Sequence, residues 1–345
     1  MPPENSSDTS HGASEPLLRI RDLHVGFPTD DGTVHAVNGM DLSLGRGETV
    51  GLVGESGSGK TVTSQALMGL LKETRAHVTG EILFDGTDLN ALSEDRMRAW
   101  RGKKIAMIFQ DPLSAMHPLH TVGSQIAEAY RVHNKVSKKA AAAVAVDMLG
   151  RVGIPDPRRR ASAHPHEFSG GMRQRAMIAM ALVCEPELLI ADEPTTALDV
   201  TVQAQILDLL GDLQSETGTA VILVTHDLGV VAEVCHQVVV MYGGQCVERG
   251  AMRDVFRDPR HPYAQGLLAS MPSLGDAAGR LEPIPGFPPS LTVLPTGCLF
   301  ADRCPQTHLV PDDACRTARP ELTGAAAHPS RCHQEDHAAQ REAAR

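Results

Sequence analysis

A glycine-rich segment in the first third of the chain has the composition of a phosphate-binding loop. It matches the pattern G-x-x-x-x-G-K-[ST] in full, with the members Gly54, Glu55, Ser56, Gly57, Ser58, Gly59, Lys60 and Thr61. Glycines let the main chain curl so that its N–H groups point at phosphate oxygens, the lysine reaches the β- and γ-phosphates, and the threonine hydroxyl binds Mg²⁺. The apolar residues 49–53 precede the loop, and a helix is predicted to begin near Lys60, which favours an anion at its N-terminus. The segment predicts a site for ATP with Mg²⁺.

A second apolar segment, residues 188–191, ends in two adjacent carboxylates, Asp192 and Glu193. At the end of a strand, Asp192 is placed to hold Mg²⁺ directly or through water. Glu193 can point at a water beside the γ-phosphate, as a general base does. Many strands end in acidic residues before a solvated turn, so the pair alone is a weak signal. Together with the glycine-rich loop earlier in the chain, it becomes strong support for a nucleotide site.

A second glycine-rich turn covers residues 168–175, with the sequence Phe-Ser-Gly-Gly-Met-Arg-Gln-Arg, before the apolar residues 176–183. Ser169, Gly170 and Gly171 at a helix N-terminus form another anion-binding arrangement. Two phosphate-binding turns are more than one nucleotide site needs.

These motifs together resemble those of the ABC ATPases, whose signature reads Leu-Ser-Gly-Gly-Gln. Phe168 and Met172 depart from that signature, and the form found here resembles the ATPases of bacterial dipeptide and oligopeptide importers. In that family the signature of one subunit covers the ATP bound by its partner. The resemblance therefore implies a second ATPase subunit, identical or paralogous, in a head-to-tail dimer with two shared sites.

Further residues match the family's motifs in the same order along the chain. Gln110 resembles the Q-loop glutamine, which senses Mg²⁺ and couples to the permease, and His226 resembles the switch histidine at the γ-phosphate. Asp199 ends a segment, Ala197-Leu198-Asp199, that resembles the D-loop. Phe27 resembles the aromatic residue that stacks on adenine, although a core position explains it equally well.

The order of apolar and polar segments predicts the fold. Strands that alternate with helices indicate a mostly parallel α/β sheet, here that of a P-loop NTPase of the ABC type. Residues 1–16 are predicted to be a disordered tail, residues 17–260 the ATPase domain, and residues 111–172 an inserted helical subdomain. Residues 261–333 contain many prolines and form a loop-rich extension, and residues 334–345 are a polar tail.

Two further stretches tie the resemblance to peptide importers. Residues 111–118 resemble the sequence that follows the Q-loop in this family, with His117 where asparagine is usual. Residues 261–268 and 283–286 resemble the family's C-terminal extension. The resemblance implies transmembrane permease subunits that contact residues 111–130, and an extracellular substrate-binding protein that acts indirectly.

Charge and hydropathy set the remaining expectations. The net charge of −10 gives no support for a nucleic-acid partner, and no apolar stretch reaches the roughly 18 residues that a membrane span needs. We expect a peripheral protein on the cytoplasmic face of the membrane. Two alternatives stay open: a soluble ABC ATPase of the ribosome or DNA-repair type, which a single cassette without heptads disfavours, and an importer of nickel chelates.

Four of the seven cysteines crowd the C-terminal part of the chain: Cys298, Cys304, Cys315 and Cys332. Their spacings are not the paired C-x-x-C of most zinc sites. Three interpretations compete: thiols without a shared role, a disulfide, and a metal site that holds zinc or a [4Fe–4S] cluster. The resemblance to peptide-importer ATPases favours the cluster. His308, His328 and His333 lie nearby in the sequence as substitute ligands, which counts against an all-cysteine site.

Overall fold

The computed structural model describes residues 15–196, 198–271, 283–325 and 327–334. Most of the two predicted tails, and Ala197 of the segment that resembles the D-loop, lie outside these residues. In chain order the strands are β1 (Leu18–Thr29), β2 (Gly32–Leu44), β3 (Thr49–Val53), β4 (His77–Phe84), β5 (Thr87–Asp88), β6 (Ile105–Ile108), β7 (Leu188–Asp192), β8 (Ala220–Val224), β9 (Gln237–Tyr242), β10 (Gln245–Ala251), β11 (Thr323–Ala325) and β12 (His328–Ser330).

The helices alternate with these strands through most of the chain. They are α1 (Lys60–Leu67), α2 (Glu94–Trp100), α3 (Pro112–Ala115), α4 (Val122–His133), α5 (Lys138–Arg151), α6 (Pro157–Arg160), α7 (Gly170–Leu182), α8 (Val200–Thr217), α9 (Leu228–Val234), α10 (Met252–Arg257), α11 (Pro262–Ala269) and α12 (Ala314–Thr317). Short 3₁₀ turns lie at Pro165–Glu167, Ala301–Arg303, Thr307–Leu309 and Pro311–Asp313.

The larger sheet has the strand order β11-β12-β10-β9-β3-β8-β7-β6. Strands β9, β3, β8, β7 and β6 run parallel, and every residue of β3, β7 and β8 is buried. Their continuous apolar sequences follow from this, because a parallel sheet is covered on both faces. The predicted mostly parallel α/β sheet is confirmed, with antiparallel strands added at the β10 edge.

A smaller antiparallel sheet, in the order β2-β1-β4-β5, covers one face of the larger one. The turn between β1 and β2 has Gly32 at φ +123°, a conformation that a residue with a Cβ rarely adopts. Apolar residues of this sheet share a core with α1 and with one face of the parallel strands. The smaller sheet therefore supports the helix that follows the glycine-rich loop.

Helices α3 to α6 fall within residues 111–172, the predicted helical subdomain. Ser137 caps α5 by accepting a hydrogen bond from the Ala140 N–H at 3.2 Å, and the fully buried Ala141 and Ala145 line its packed face. Helix α7 begins at Gly170, earlier than the apolar run suggested, because Ser169 caps it. Helix α8 continues to Thr217 and stops at Gly218, which has the left-handed φ of +68°.

The C-terminal extension is packed onto the ATPase domain. Strand β12 pairs with β10, and the buried carboxylate of Glu248 on β10 accepts hydrogen bonds from the Arg260 and His261 N–H groups and lies 2.7 Å from His328 Nε2. Phe300 is 2% exposed and meets the rings of Tyr242 and Tyr263 edge-on. A buried polar anchor and an aromatic cluster therefore fix the extension beside the end of β9.

Candidate nucleotide site

The glycine-rich loop connects β3 to α1 through positions that exclude a side chain. A Cβ on Gly54 would lie 2.2 Å from the Met241 carbonyl oxygen, and one on Gly59 would lie 2.4 Å from that of Ala36. Both glycines also have positive φ, at +149° and +101°. The loop can therefore curl tightly against the neighbouring strands only with glycine at these positions.

Lys60, the first residue of α1, folds back over this loop. Its Nζ donates hydrogen bonds to the carbonyl oxygens of Gly54 at 2.7 Å and Glu55 at 2.9 Å, and lies 3.4 Å from Ser58 Oγ. Burial is the main cause that lowers the pKa of Lys60, and the nearby carboxylates of Glu193 and Asp192 oppose it. The ammonium group thus lies ready to pair with phosphate oxygens at the mouth of the loop.

Asp192 ends β7 next to the helix α1. Its Oδ1 accepts a hydrogen bond from the Thr61 hydroxyl at 3.4 Å. Burial raises the pKa of Asp192, and the neighbouring charge of Glu193 raises it further, against the lowering effects of Thr61 and Lys60. A buried carboxylate beside a hydroxyl is a donor set that suits Mg²⁺, whose charge would favour the ionised form.

Glu193 lies directly after β7 with the left-handed φ of +48°, and its carboxylate is shared by three polar side chains. It accepts hydrogen bonds from Gln110 Nε2 at 2.9 Å and from the Thr196 hydroxyl at 2.8 Å, and lies 3.3 Å from His226 Nδ1. Burial raises the pKa of Glu193, but the hydrogen bonds with Thr196 and His226 and the charges of His226 and Lys60 outweigh it, so the pKa lies below its ordinary value. The carboxylate is therefore ionised at neutral pH, as a general base must be.

These groups surround one pocket of about 320 Å³, which is lined by Ala36, residues 56–62, Gln110, Glu193 and Leu291. Lys60, Thr61 and the Glu193 carboxylate line it together with the glycine-rich loop, and Asp192 contacts the Thr61 hydroxyl. The arrangement can bind a triphosphate, hold a divalent cation and activate a water molecule.

The second glycine-rich turn lies outside this pocket. Ser169 and Gly170 are exposed at the start of α7, and Ser169 Oγ accepts a hydrogen bond from Met172 N–H at 3.4 Å. A Cβ on Gly171 would lie 2.9 Å from a methyl group of Val202 on α8. Asp199 caps α8 through the Val202 N–H at 3.0 Å. None of these residues lines the pocket described above.

Comparison with known proteins decides the family. Residues 37–196 match the model of the ABC transporter family, and residues 247–309 match that of the oligopeptide/dipeptide transporter, C-terminal region. The chain is 55% identical over 299 residues to the dipeptide transport ATP-binding protein DppD of Bacillus subtilis (strain 168), across 86% of this chain and 89% of that protein. It is also 55% identical over 289 residues to the oligopeptide transport ATP-binding protein OppD of the same organism, across 83% and 81%.

The chain belongs to the ATP-binding proteins of ABC transporters. The family read from the motifs is thus confirmed, and the chain is an ABC ATPase. The dimeric structure of the ATP-binding cassette MJ0796 bound to ADP and Pi has the same fold, with a TM-score of 0.62 and 26% identity, over 69% of this chain and 99% of that one.

Phe27, the residue predicted to stack on adenine, does not line the pocket described above. Phe27 is half-buried on β1, pairs with Val34 across the strands, and packs against the core shared by the smaller sheet and α1. Its stacking on adenine stays a prediction. In contrast, Leu291 and Ala36 line the pocket and were missed, because nothing in their local sequence marks them as ligand contacts.

The four C-terminal cysteines of this ABC ATPase share one neighbourhood. Cys298 N–H donates a hydrogen bond to the Cys315 carbonyl oxygen at 2.8 Å. Burial, with a smaller contribution from the surrounding thiols, raises the pKa of Cys298 to about 11 and that of Cys332 to about 12. All seven cysteines are free thiols, so the structure forms no disulfide. Within the described ranges no three His, Cys, Asp or Glu side chains converge as metal ligands.

The three histidines named as substitute ligands have other surroundings. His328 pairs with Glu248, and His333 Nε2 lies 2.9 Å from the Ala318 carbonyl oxygen. His308 is exposed. The histidines are therefore poor candidates to complete a site with the thiols.

Proposed function

We propose that this chain is the subunit that hydrolyses ATP to drive an ABC importer for dipeptides or oligopeptides. The observation that carries the proposal is that Lys60, Thr61, Glu193 and Gln110 line one pocket, with Asp192 hydrogen-bonded to Thr61, in a chain that also has the oligopeptide/dipeptide C-terminal region. The relatives named above act in dipeptide and oligopeptide transport, which supports the same class of cargo.

The residues divide the work of binding and hydrolysis. The main-chain N–H groups of residues 56–61 and the Lys60 ammonium group bind the phosphates of ATP. Thr61, Asp192 and Gln110 would hold Mg²⁺, which neutralises charge that develops on the phosphates. Ser169, Gly170 and Gly171 of a partner subunit close the site from the other side, with Asp199 at the same interface.

Glu193 supplies the base of the chemical step. Its ionised carboxylate takes a proton from water as the water oxygen bonds to the γ-phosphorus and the bond to the β-phosphate oxygen breaks, which yields ADP and phosphate. Gln110 and Thr196 donate hydrogen bonds that orient the carboxylate. His226, whose side chain is 65% exposed, lies where it can contact the γ-phosphate.

Two other functions can be compared with this one. A soluble ABC ATPase of the ribosome or DNA-repair type would have no need of the oligopeptide/dipeptide C-terminal region. An importer of nickel chelates would use a similar ATPase, because this subunit does not touch the cargo. Ligand binding by the cognate extracellular receptor, measured for dipeptides, oligopeptides and nickel chelates, distinguishes the substrates.

The helical segment offers a surface for the permease. A groove of about 560 Å³ lies between α4, α5 and α6, and Leu119 just before it is 78% exposed. No helix in the described part of the chain is long and apolar enough to cross a bilayer. We propose that the permease contacts this segment and holds the subunit at the cytoplasmic face of the membrane.

Cysteines placed in residues 111–130 are expected to crosslink to the permease in the assembled complex. Single cysteines at Leu119 and Glu128 sample the proposed surface, since one precedes the groove and the other lines it. A cysteine at Glu81 on β4, whose side chain is 41% exposed, is the matched control and should give no adduct. A crosslink map centred on residues 30–90 instead would contradict the proposed surface.

The role of the four C-terminal cysteines as ligands of a [4Fe–4S] cluster or of zinc stays a prediction. Their shared neighbourhood speaks for a joint role, whereas the described side chains do not converge. Protein purified without oxygen is expected to show either visible absorption with iron and labile sulfide, or stoichiometric zinc. Replacing Cys304 by serine should reduce the metal content, while replacing the buried and distant Cys235 should not. If the protein contains no iron, labile sulfide or zinc and all four thiols are freely alkylated, the cysteines have no shared role.

A further inference from the structure

Glu55, the second residue of the phosphate-binding loop, is held by the C-terminal extension. Its carboxylate accepts two hydrogen bonds from the Arg303 guanidinium group, at 2.8 and 2.9 Å. Its main-chain N–H donates to the Tyr263 hydroxyl at 2.8 Å. Both contacts reach the loop from beyond residue 260, so the extension fixes the loop through its main chain and its side chain at one residue.

Arg303 is itself immobilised. Its side chain is 5% exposed, and Nε donates a hydrogen bond to the Pro285 carbonyl oxygen at 2.8 Å. The guanidinium group also lies 3.3 Å from the Tyr242 hydroxyl and over the ring of Phe300. The hydrogen bonds to Glu55 are the largest cause that raises the pKa of Arg303, so the charge is permanent. A planar group held on all sides fixes the position of its partner carboxylate.

The extension also reaches the pocket by a second path. Pro288 and Pro289 line a cavity of about 200 Å³ together with Glu55 and Tyr242. The carbonyl oxygen of Leu291 accepts a hydrogen bond from the His35 N–H at 2.8 Å, and Leu291 then forms part of the pocket wall. Residues 283–303 therefore run along the outer side of the phosphate-binding loop.

The contacts of Arg303 and Tyr263 with Glu55, here called the clamp, favour ATP binding through two physical effects. A glycine-rich loop loses much conformational freedom when it orders around phosphates, and a loop that is already ordered binds more tightly. The negative charge of Glu55 would repel a triphosphate, and the permanent positive charge of Arg303 cancels it at hydrogen-bond distance. Removal of Arg303 would leave a half-buried carboxylate unpaired, and removal of Glu55 would leave a buried guanidinium group unpaired.

We infer that the C-terminal extension sets the ATP affinity of this subunit by clamping Glu55 through Arg303 and Tyr263. These three are positioning residues, since none of their contacts reaches the reacting atoms. The inference rests on the proposed role of the loop in ATP binding. It makes the extension part of the nucleotide site as well as an appendage of the transporter.

The test compares Tyr263→Phe and Arg303→Met in the full-length chain. Loss of one neutral hydrogen bond should raise the Kd for ATP by about 2- to 10-fold, and loss of the charged pair by about 10- to 100-fold. Isothermal titration measures Kd, and steady-state assays should show a higher KM with kcat changed by less than about 2-fold. Arg303→Lys should restore part of the affinity. In a cycle with Glu55→Gln, the two losses should not add.

Matched controls separate this role from a structural one. Arg101→Met breaks another bidentate pair, with Glu94, in which the two side chains are 20% and 25% exposed, and Tyr130→Phe removes a tyrosine hydroxyl on α4. Both should lower the thermal midpoint at most and leave Kd unchanged. If Arg303→Met and Tyr263→Phe also leave Kd unchanged while the midpoint falls, the inference is wrong. If Arg303→Met does not fold, Tyr263→Phe decides alone.

The same titration separates this inference from the proposed function. Lys60→Ala serves as the reference. Lost binding in Lys60→Ala with normal binding in Tyr263→Phe and Arg303→Met rejects only the clamp. Normal ATP binding in Lys60→Ala would reject the loop as the ATP site, and the clamp with it.

Discussion

Replacing Glu193 by glutamine is expected to slow ATP hydrolysis by about 10²–10⁴-fold, the usual effect of losing a general base. Glutamine has nearly the same shape and can keep contacts with Gln110, Thr196 and His226, but it cannot accept a proton at neutral pH. Because the groups that bind phosphates are untouched, ATP should still bind. We therefore expect the assembled complex to accumulate in an ATP-bound, closed dimer, measured by size-exclusion chromatography with Mg-ATP.

Glu187→Gln is the matched control for this substitution. Glu187 lies just before the opposite end of the same strand, β7, and pairs with Arg46 at 2.7 Å and Lys104 at 3.6 Å. The control removes a carboxylate from ion pairs without touching the pocket, so hydrolysis should stay within about 2-fold of the unmodified rate. Full-rate hydrolysis by the Glu193→Gln complex would show that another group is the base.

Replacing Lys60 by alanine is expected to weaken ATP binding by about 10- to 100-fold, because hydrogen bonds to charged groups contribute more than neutral ones. Lys60 is the one side-chain cation in the loop, and its ammonium group is held at the loop by two carbonyl oxygens. Turnover should collapse while the fold persists, as measured by isothermal titration and circular dichroism.

Lys72→Ala provides the matched control. Lys72 follows α1 and also donates to main-chain carbonyl oxygens, those of Leu89 at 2.7 Å and Leu92 at 2.5 Å. Burial lowers the pKa of both lysines. Lys72→Ala should therefore reduce stability without affecting ATP binding. An unchanged ATP affinity and rate in Lys60→Ala would contradict the assignment of the pocket.

The extension connects the cysteine-containing segment to the residues that bind ATP. Arg303 is the residue directly before Cys304, and it is also the residue that holds Glu55. A change in the packing of the cysteine-containing segment is therefore expected to shift Arg303 and, through Glu55, the phosphate-binding loop. Measuring ATP affinity in the Cys304→Ser protein connects the two experiments.

The sequence by itself determined the parts of the site whose chemistry is local. The phosphate-binding loop is one uninterrupted segment, and its glycines, lysine and threonine act through the turn that they form together. Asp192 and Glu193 could be placed because the carboxyl ends of parallel strands meet at one edge of a sheet, in which β8 lies between β3 and β7. The family followed from these motifs in their order.

The tertiary structure alone decided which distant residues complete the site. Arg303 and Glu55 are 248 residues apart, and no pattern in either segment indicates their pairing. Leu291 reaches the pocket only because the extension packs against β2 and the aromatic cluster of Tyr242, Tyr263 and Phe300. Such contacts depend on how irregular segments pack onto a finished sheet, which the spacing of residues along the chain does not specify.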